Sequence, residues 1–449
     1  MRRILWLIAL CALAYAGNSS AAESAAPWRV GRPVVAYFNS FVFPNSGGYW
    51  DADYDPTTLT AQIAQQAVAG GFNLVWINDL SQLAIAEKYG LRAQLVISGH
   101  QPQNDLFFHP ASNWPDAADV PAINALIDGF KASAAAYSYY IIDEPMPARF
   151  PQLAAIVAYL RERDPAHLAY IDLWPPDAAP SAFEAPDYTT YLAQFIATVK
   201  PSLLSYNSYN LFEGNDRGLF LSNMQTIAAA AKKTGVPFMP VVQGSAFDVG
   251  WRLPNANELR FLANTSLAYG AQGIFYFHYW TPFGPKTGGI APFPDGKPTS
   301  VYTSLQSINP LFERYATQLQ GLQWIGTYLK GYRASMMPRN TQQLPPHAAF
   351  DIPALRDQEK YFDGQPLQGV LLGYFGSAAT SVADATHVFV TNLSYRSVKK
   401  YRVRGSAPLS VFDPHKRSWS AVPTHYVDVT LQPGGGVLIA RTQAKLTSE

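Results

Sequence analysis

Between Val34 and Trp280, eight short and nearly continuous apolar runs alternate with longer stretches of helical period. That alternation restricts the chain to folds built from βα units around a parallel sheet. The runs are Val34 to Phe38, Phe72 to Ile77, Ala93 to Ser98, Tyr139 to Asp143, Leu168 to Ile171, Leu203 to Tyr206, Phe238 to Val242 and Gly273 to Phe277. Their near-complete lack of polar residues fits strands buried on both faces. Leu59, Ile63 and Ala67 recur every four residues ahead of Gly70-Gly71, a helix stop. Leu153, Ile156, Val157 and Leu160 share one helical face, closed by Arg161, Arg163 and Pro165. Eight such units close most economically as an α/β (β/α)8 TIM barrel. A doubly wound open sheet is the alternative, but no Gly-rich phosphate loop follows any strand.

After the proline-rich stretch Pro282 to Pro298 a last helix runs from Val301 to about Leu319, and the period then changes. Short strand-like runs at Gly369 to Phe375, His387 to Asn392, Val398 to Val403, Ser410 to Phe412, Tyr426 to Leu431 and Val437 to Arg441 read as a C-terminal antiparallel β-sandwich. The expected division is a signal peptide at 1–22, a barrel at 30–320 and a sandwich at 330–449. Met1-Arg2-Arg3, the apolar Ile4 to Ala16 and the small polar run to Ala22 have the layout of a cleaved secretory signal, too short for a stable membrane anchor. A secreted or periplasmic location is therefore expected. The only cysteine, Cys11, falls inside that segment, so neither disulfides nor thiolate chemistry are expected afterwards.

With 33 basic and 32 acidic residues the charge is near balance, which gives no reason to expect nucleic acid as a partner. Aromatic residues equal charged ones at 14% each, and flat rings suit the C–H faces of sugars as well as cores.

Barrels build their sites at the C-terminal ends of the strands. Asp143-Glu144-Pro145 ends the fourth run; two adjacent carboxylates against an apolar wall repel and desolvate one another, which raises a pKa as a general acid requires. Pro145 biases Glu144 toward an extended backbone. The other strand ends offer Asn78 and Asp79, Asp172 and Trp174, Asn207 and Tyr209, Gln243, then Tyr276, His278 and Trp280. Alternating polar groups and rings of this kind suit a neutral polyol. Asp79 and Asp172 are equally readable as helix caps. His278 has no second ligand at metal spacing, so no metal site and no cofactor are expected. Ser98 lacks a Gly-x-Ser-x-Gly elbow.

Four stretches resemble bacterial glycoside-hydrolase-like barrels related to the retaining clan of cellulases and β-galactosidases. They are Tyr140 to Pro145, Leu204 to Tyr209, Val236 to Gln243, and Ala268 to Trp280. The resemblance implies an oligo- or polysaccharide substrate, with Glu144 as the acid/base. It also implies an Asn before that Glu, a Glu nucleophile ending the seventh strand and, in closer relatives, an Asp on the sixth. This chain has Asp143, Gln243 and Asn207 at those places. The second carboxylate is then sought among Asp172, Asp79, Glu213 and Asp248, at about 6.5–9.5 Å from Glu144 for inversion or about 5 Å for retention. Two functions remain open: a glycoside hydrolase, and a noncatalytic saccharide-binding barrel. Oligomeric state is not readable from the sequence.

Overall fold

The computed structural model describes residues 30–38, 58–98, 104–108, 114–246, 250–281, 288–292, 298–377 and 380–442. The signal-like segment and Asp248 lie outside them, as does the Trp280 side chain. Eight parallel strands close a barrel in chain order: β1 Val34–Phe38, β2 Leu74–Ile77, β3 Arg92–Val96, β4 Ala136–Asp143, β5 Leu168–Leu173, β6 Leu204–Ser208, β7 Phe238–Gln243 and β8 Gly273–Phe277. The barrel closes through β8 against β1, paired from Val34↔Gly273 to Phe38↔Phe277.

Strand alternation sends every second side chain inward. Phe38, Trp76, Tyr140, Tyr170 and Phe275 form one inner layer, with ring centroids 4.8, 4.5, 5.7 and 5.0 Å apart in that order around and across the barrel. Residues two further along a strand occupy the layer above. β5 and β6 run on past their apolar stretches, so Asp172 and Asn207 belong to the strands rather than to the loops after them. In β4 a register irregularity between Tyr140 and Ile142 inserts one residue, and Asp143 becomes the partner of Asp172.

Two short strands follow the barrel, β9 Trp280–Thr281 paired with β10 Ala291–Pro292, before the helix Ser300–Leu319. The C-terminal unit is an antiparallel sandwich. Its larger sheet has the order β11 Gln323–Lys330, β13 Val370–Gly376, β14 His387–Asn392, β19 Gly436–Arg441, β16 Leu409–Asp413 and β17 Ser418–Val422; its smaller sheet has β12 Phe350–Asp351, β15 Lys399–Gly405 and β18 Tyr426–Leu431. β11 comes from the stretch that the sequence reading leaves between the two domains, where no turn signal stands out after Gly321.

The sandwich packs on the barrel's outer helices. A Cβ on Gly373 would stand 2.0 Å from the carbonyl oxygen of Ala268, so only glycine admits this approach of β13 to the helix Ala256–Ala268. Trp419 donates its indole N–H to Gln318 (2.9 Å), and Thr327 donates to Ala268 O (2.7 Å). Tyr395 is 5% exposed and bonds Asp216 of the barrel. Two aromatics of the sandwich, Trp419 and Tyr395, are thus spent on the junction, whereas Tyr426 stays 46% exposed. Among the described residues no helix is long and apolar enough to cross a membrane.

Candidate active site

Three carboxyl groups meet at the C-terminal ends of β4 and β5. Asp143 and Asp172 are register partners on neighbouring strands, and the backbone N–H of Glu144 donates to the Asp172 carbonyl at 2.9 Å. That bond turns Glu144 into the left-handed region, φ 45°, where the pre-proline position predicts extended backbone. The rule is overridden because this turn also delivers the carboxylate to Asn207, whose amide donates to Glu144 Oε1 at 2.7 Å. Local strain of this kind collects at functional sites.

The three differ in access. Asp172 is 1% exposed and accepts from the Ser205 hydroxyl (2.8 Å) and, at 3.5 Å, from Asn207 Nδ2. Glu144 is half-buried. Asp143 keeps contact with solvent at the strand end, yet enough protein surrounds it that lost hydration acts on it strongly. All three are pushed above the ordinary carboxylate range. For Asp143 the causes are desolvation and then repulsion from Asp172 and Glu144. For Glu144 desolvation outweighs the Asn207 hydrogen bond. For Asp172 desolvation outweighs its donors. Environments that separate the pKa values of neighbouring carboxyls are how acid and base roles are divided.

The raised Asp172 has a consequence for stability. Above the ordinary value near 4 the folded state retains a proton that the unfolded chain releases, so stability falls as pH rises toward the raised pKa, by about 1.4 kcal/mol per pH unit. An Asp172→Asn variant is expected to be more stable than the parent at pH 7, with the gap shrinking as pH falls and closing near pH 4. Urea midpoints taken across that range check it; a gap that widened toward acid would contradict the assignment.

Aromatic rings line the same mouth. Tyr209 packs against Trp251 and Phe277, at 4.7 and 4.9 Å, and the three carboxyls help desolvation to push its phenol up. Trp174 is half-buried, and its indole N–H has no hydrogen-bond partner among the described residues.

The remaining candidates are placed elsewhere. Asp79 is exposed and caps the turn after β2, accepting from the Ser81 N–H at 2.7 Å; the Ser81 side chain and then that N–H hold it below the usual range. Asn78 accepts from the Gln82 amide and points toward Thr58. Glu213 is exposed in the loop after β6, and no hydrogen bond or ion pair joins it to the carboxyl cluster. Tyr276 alternates with the inward Phe275, packs edge-on at 6.4 Å from Phe72 and is fully buried, away from the mouth. His278 is fully buried, and loss of hydration pushes it down to about 3, so it is neutral at physiological pH.

Gln243 is also fully buried, and its amide is committed. It accepts from Leu211 N–H (2.9 Å) and donates to the carbonyls of Leu211 (2.9 Å), Arg252 (2.8 Å) and Ser245 (3.3 Å). It is a clamp between the loops after β6 and β7 and presents nothing to a substrate.

Sequence reasoning missed Ser205, Tyr170 and Trp251. Ser205 and Tyr170 stand two residues before Asn207 and Asp172 on the same inward face, so strand alternation pointed to them. Trp251 sits alone in a loop, without periodic signal.

No protein-family model matches the chain, and no curated protein sequence matches it. Solved structures do resemble it, and those named here are glycoside hydrolases. A catalytic mutant of a glycoside-hydrolase family 42 β-galactosidase from G. stearothermophilus aligns at TM-score 0.52 and 9% identity, over 86% of this chain and 97% of that one. A β-L-arabinopyranosidase from Geobacillus stearothermophilus aligns at TM-score 0.45 and 9% identity, over 93% and 98%. A β-galactosidase from Marinomonas ef1 aligns at TM-score 0.42 and 11% identity, and this chain spans 57% of its length and is itself covered to 57%. At 9% identity the likeness to the family 42 enzyme shows the fold alone: a TIM barrel carrying a β-sandwich.

Proposed function

We propose that the protein is a glycoside hydrolase acting on an oligo- or polysaccharide, with Glu144 as general acid and Asp143 as the second carboxylate. The observation that carries this is the cluster of three carboxyls of raised pKa at the ends of β4 and β5, beside the Tyr209, Trp251 and Phe277 rings.

Elimination favours Asp143 over the other described candidates. Asp79 is a cap, Asp172 is sealed from solvent and Glu213 stands apart, whereas Asp143 reaches the mouth. Glu144, poorly hydrated, holds its proton to a higher pH than an ordinary carboxyl and gives it to the glycosidic oxygen as the C–O bond breaks. Asp143 then serves the anomeric carbon, either by taking a proton from attacking water or by bonding to it directly. Rings at the mouth cover the apolar face of a sugar, and Asn207 keeps Glu144 in place. By the Met1 to Ala22 pattern we place this activity outside the cytoplasm.

One observation favours the noncatalytic alternative: the β7 end, where the resembled clan carries its nucleophile, holds a buried amide. A single pair of measurements separates the readings. Purified protein is assayed for reducing-end release from a panel of neutral polysaccharides and for glycan binding, beside a Glu144→Gln variant. Hydrolysis lost with binding kept supports catalysis. Binding without hydrolysis in the parent supports the alternative, and neither in the parent overturns both.

A further inference from the structure

Asp172 is a carboxyl group that the proposed reaction does not touch. It is 1% exposed, and its hydrogen-bond donors are neutral: the Ser205 hydroxyl, the Asn207 amide and the Leu173 backbone. No lysine, arginine or histidine among the described residues forms an ion pair with it. The titratable groups acting on it or feeling its charge are Asp143, Glu144 and Tyr140 of the β4 end, Tyr170 of β5, Tyr206 of β6 and Tyr209 just after it, and Tyr188 and Tyr191 of the helix Tyr188–Val199. Every one is an acid. A buried anion with two neighbouring carboxyls and no cation is a costly arrangement that a proton removes.

The hydroxyl chain beside it accommodates that proton without losing a hydrogen bond. Tyr170 Oη and Ser205 Oγ lie 2.6 Å apart, and either can donate. With Asp172 ionised, Tyr170 donates to Ser205 and Ser205 donates to Asp172 Oδ1 at 2.8 Å. With Asp172 protonated, Asp172 donates to Ser205 and Ser205 donates to Tyr170. The same three oxygens are joined in both states, and only the direction reverses. An acid fixed between amide and backbone donors alone could not do this, because such groups cannot accept.

We infer that Asp172 is a neutral carboxylic acid in the resting protein, a positioning residue that donates its proton to Ser205, accepts from the Asn207 amide and supports that amide in its bond to Glu144. With Asp172 neutral its repulsion of Asp143 ends, so the negative charge of the cluster falls to Asp143, the most exposed of the three. That last consequence rests on the reading of Glu144 as the acid; the proton on Asp172 does not.

The test is an infrared one and needs no activity. Spectra of the full chain at pH 7, in light and heavy water, are compared with those of Asp172→Asn, Asp143→Asn and Glu144→Gln. A protonated-carboxyl C=O band is expected in the parent that disappears in Asp172→Asn and persists in the other two. In Ser205→Ala, which removes the hydroxyl partner but keeps the acid, the same band is expected to shift in frequency. A parent band absent, or one retained in Asp172→Asn, would overturn the inference. Should the protein cleave no glycoside, the band still decides the matter for Asp172.

Discussion

Replacing Glu144 by Gln is expected to lower kcat on an unactivated glycoside by about a hundred- to ten-thousand-fold, the usual contribution of a positioned general acid. Glutamine has nearly the same shape, and its carbonyl oxygen can still accept from Asn207 Nδ2, so the fold and the mouth are retained. What is lost is the proton for the departing oxygen. The loss therefore depends on the leaving group: it is large for a sugar alcohol and small for a nitrophenolate that departs without protonation. Kinetics on a matched pair of substrates read this directly. An equal loss on both would mean that Glu144 acts otherwise than as an acid, because removal of a proton donor discriminates between leaving groups and general damage to the site does not.

The largest expected effect on stability is at Gln243. Gln243→Glu changes one atom and would install, at the β7 end, the residue that the resembled clan uses as nucleophile. It is expected to destabilise the protein by about 3–5 kcal/mol without creating a nucleophile. The amide nitrogen faces the carbonyl oxygens of Leu211, Arg252 and Ser245, and an ionised carboxylate would set a buried negative oxygen against all three. Protonation relieves only part of this, since one O–H replaces two N–H bonds. Denaturant midpoints, with circular dichroism to confirm the native fold, check it. A Gln243→Glu protein as stable as the parent would sink the clamp and reopen this position as a catalytic one.

How much of this was legible depends on which physical signal each feature leaves. The eight buried strands announced themselves as apolar runs, and a residue at the end of such a run is at the mouth whatever its neighbours are. Glu144 was accessible to that reasoning for the same reason, as was Asn207. Gln243 was not separable from them: it too is a polar residue at a strand end, and its role is set by the carbonyls of Leu211 and Arg252, 32 and 9 residues away in the chain. The cap role of Asp79 was open in the sequence and was decided by a bond to Ser81 two residues on. The backbone of Glu144 defied the pre-proline rule because a strand 28 residues later supplies its hydrogen-bond acceptor, the Asp172 carbonyl.

By itself, then, the sequence determined the architecture and the address of the Asp143–Glu144 carboxyl pair. The period of a buried strand, the period of its covering helix and the position of a carboxylate at the strand's end are all properties of contiguous residues. Only the tertiary structure decided which of the polar residues at the strand ends stay open to solvent, which are sealed and which hold loops together. A side chain's burial and hydrogen-bond partners are set by the strands on either side of it, and one extra residue in β4 was enough to bring Asp143 level with Asp172. That shift in register is absent from any local pattern, and it makes two acids on separate strands into the core of the site.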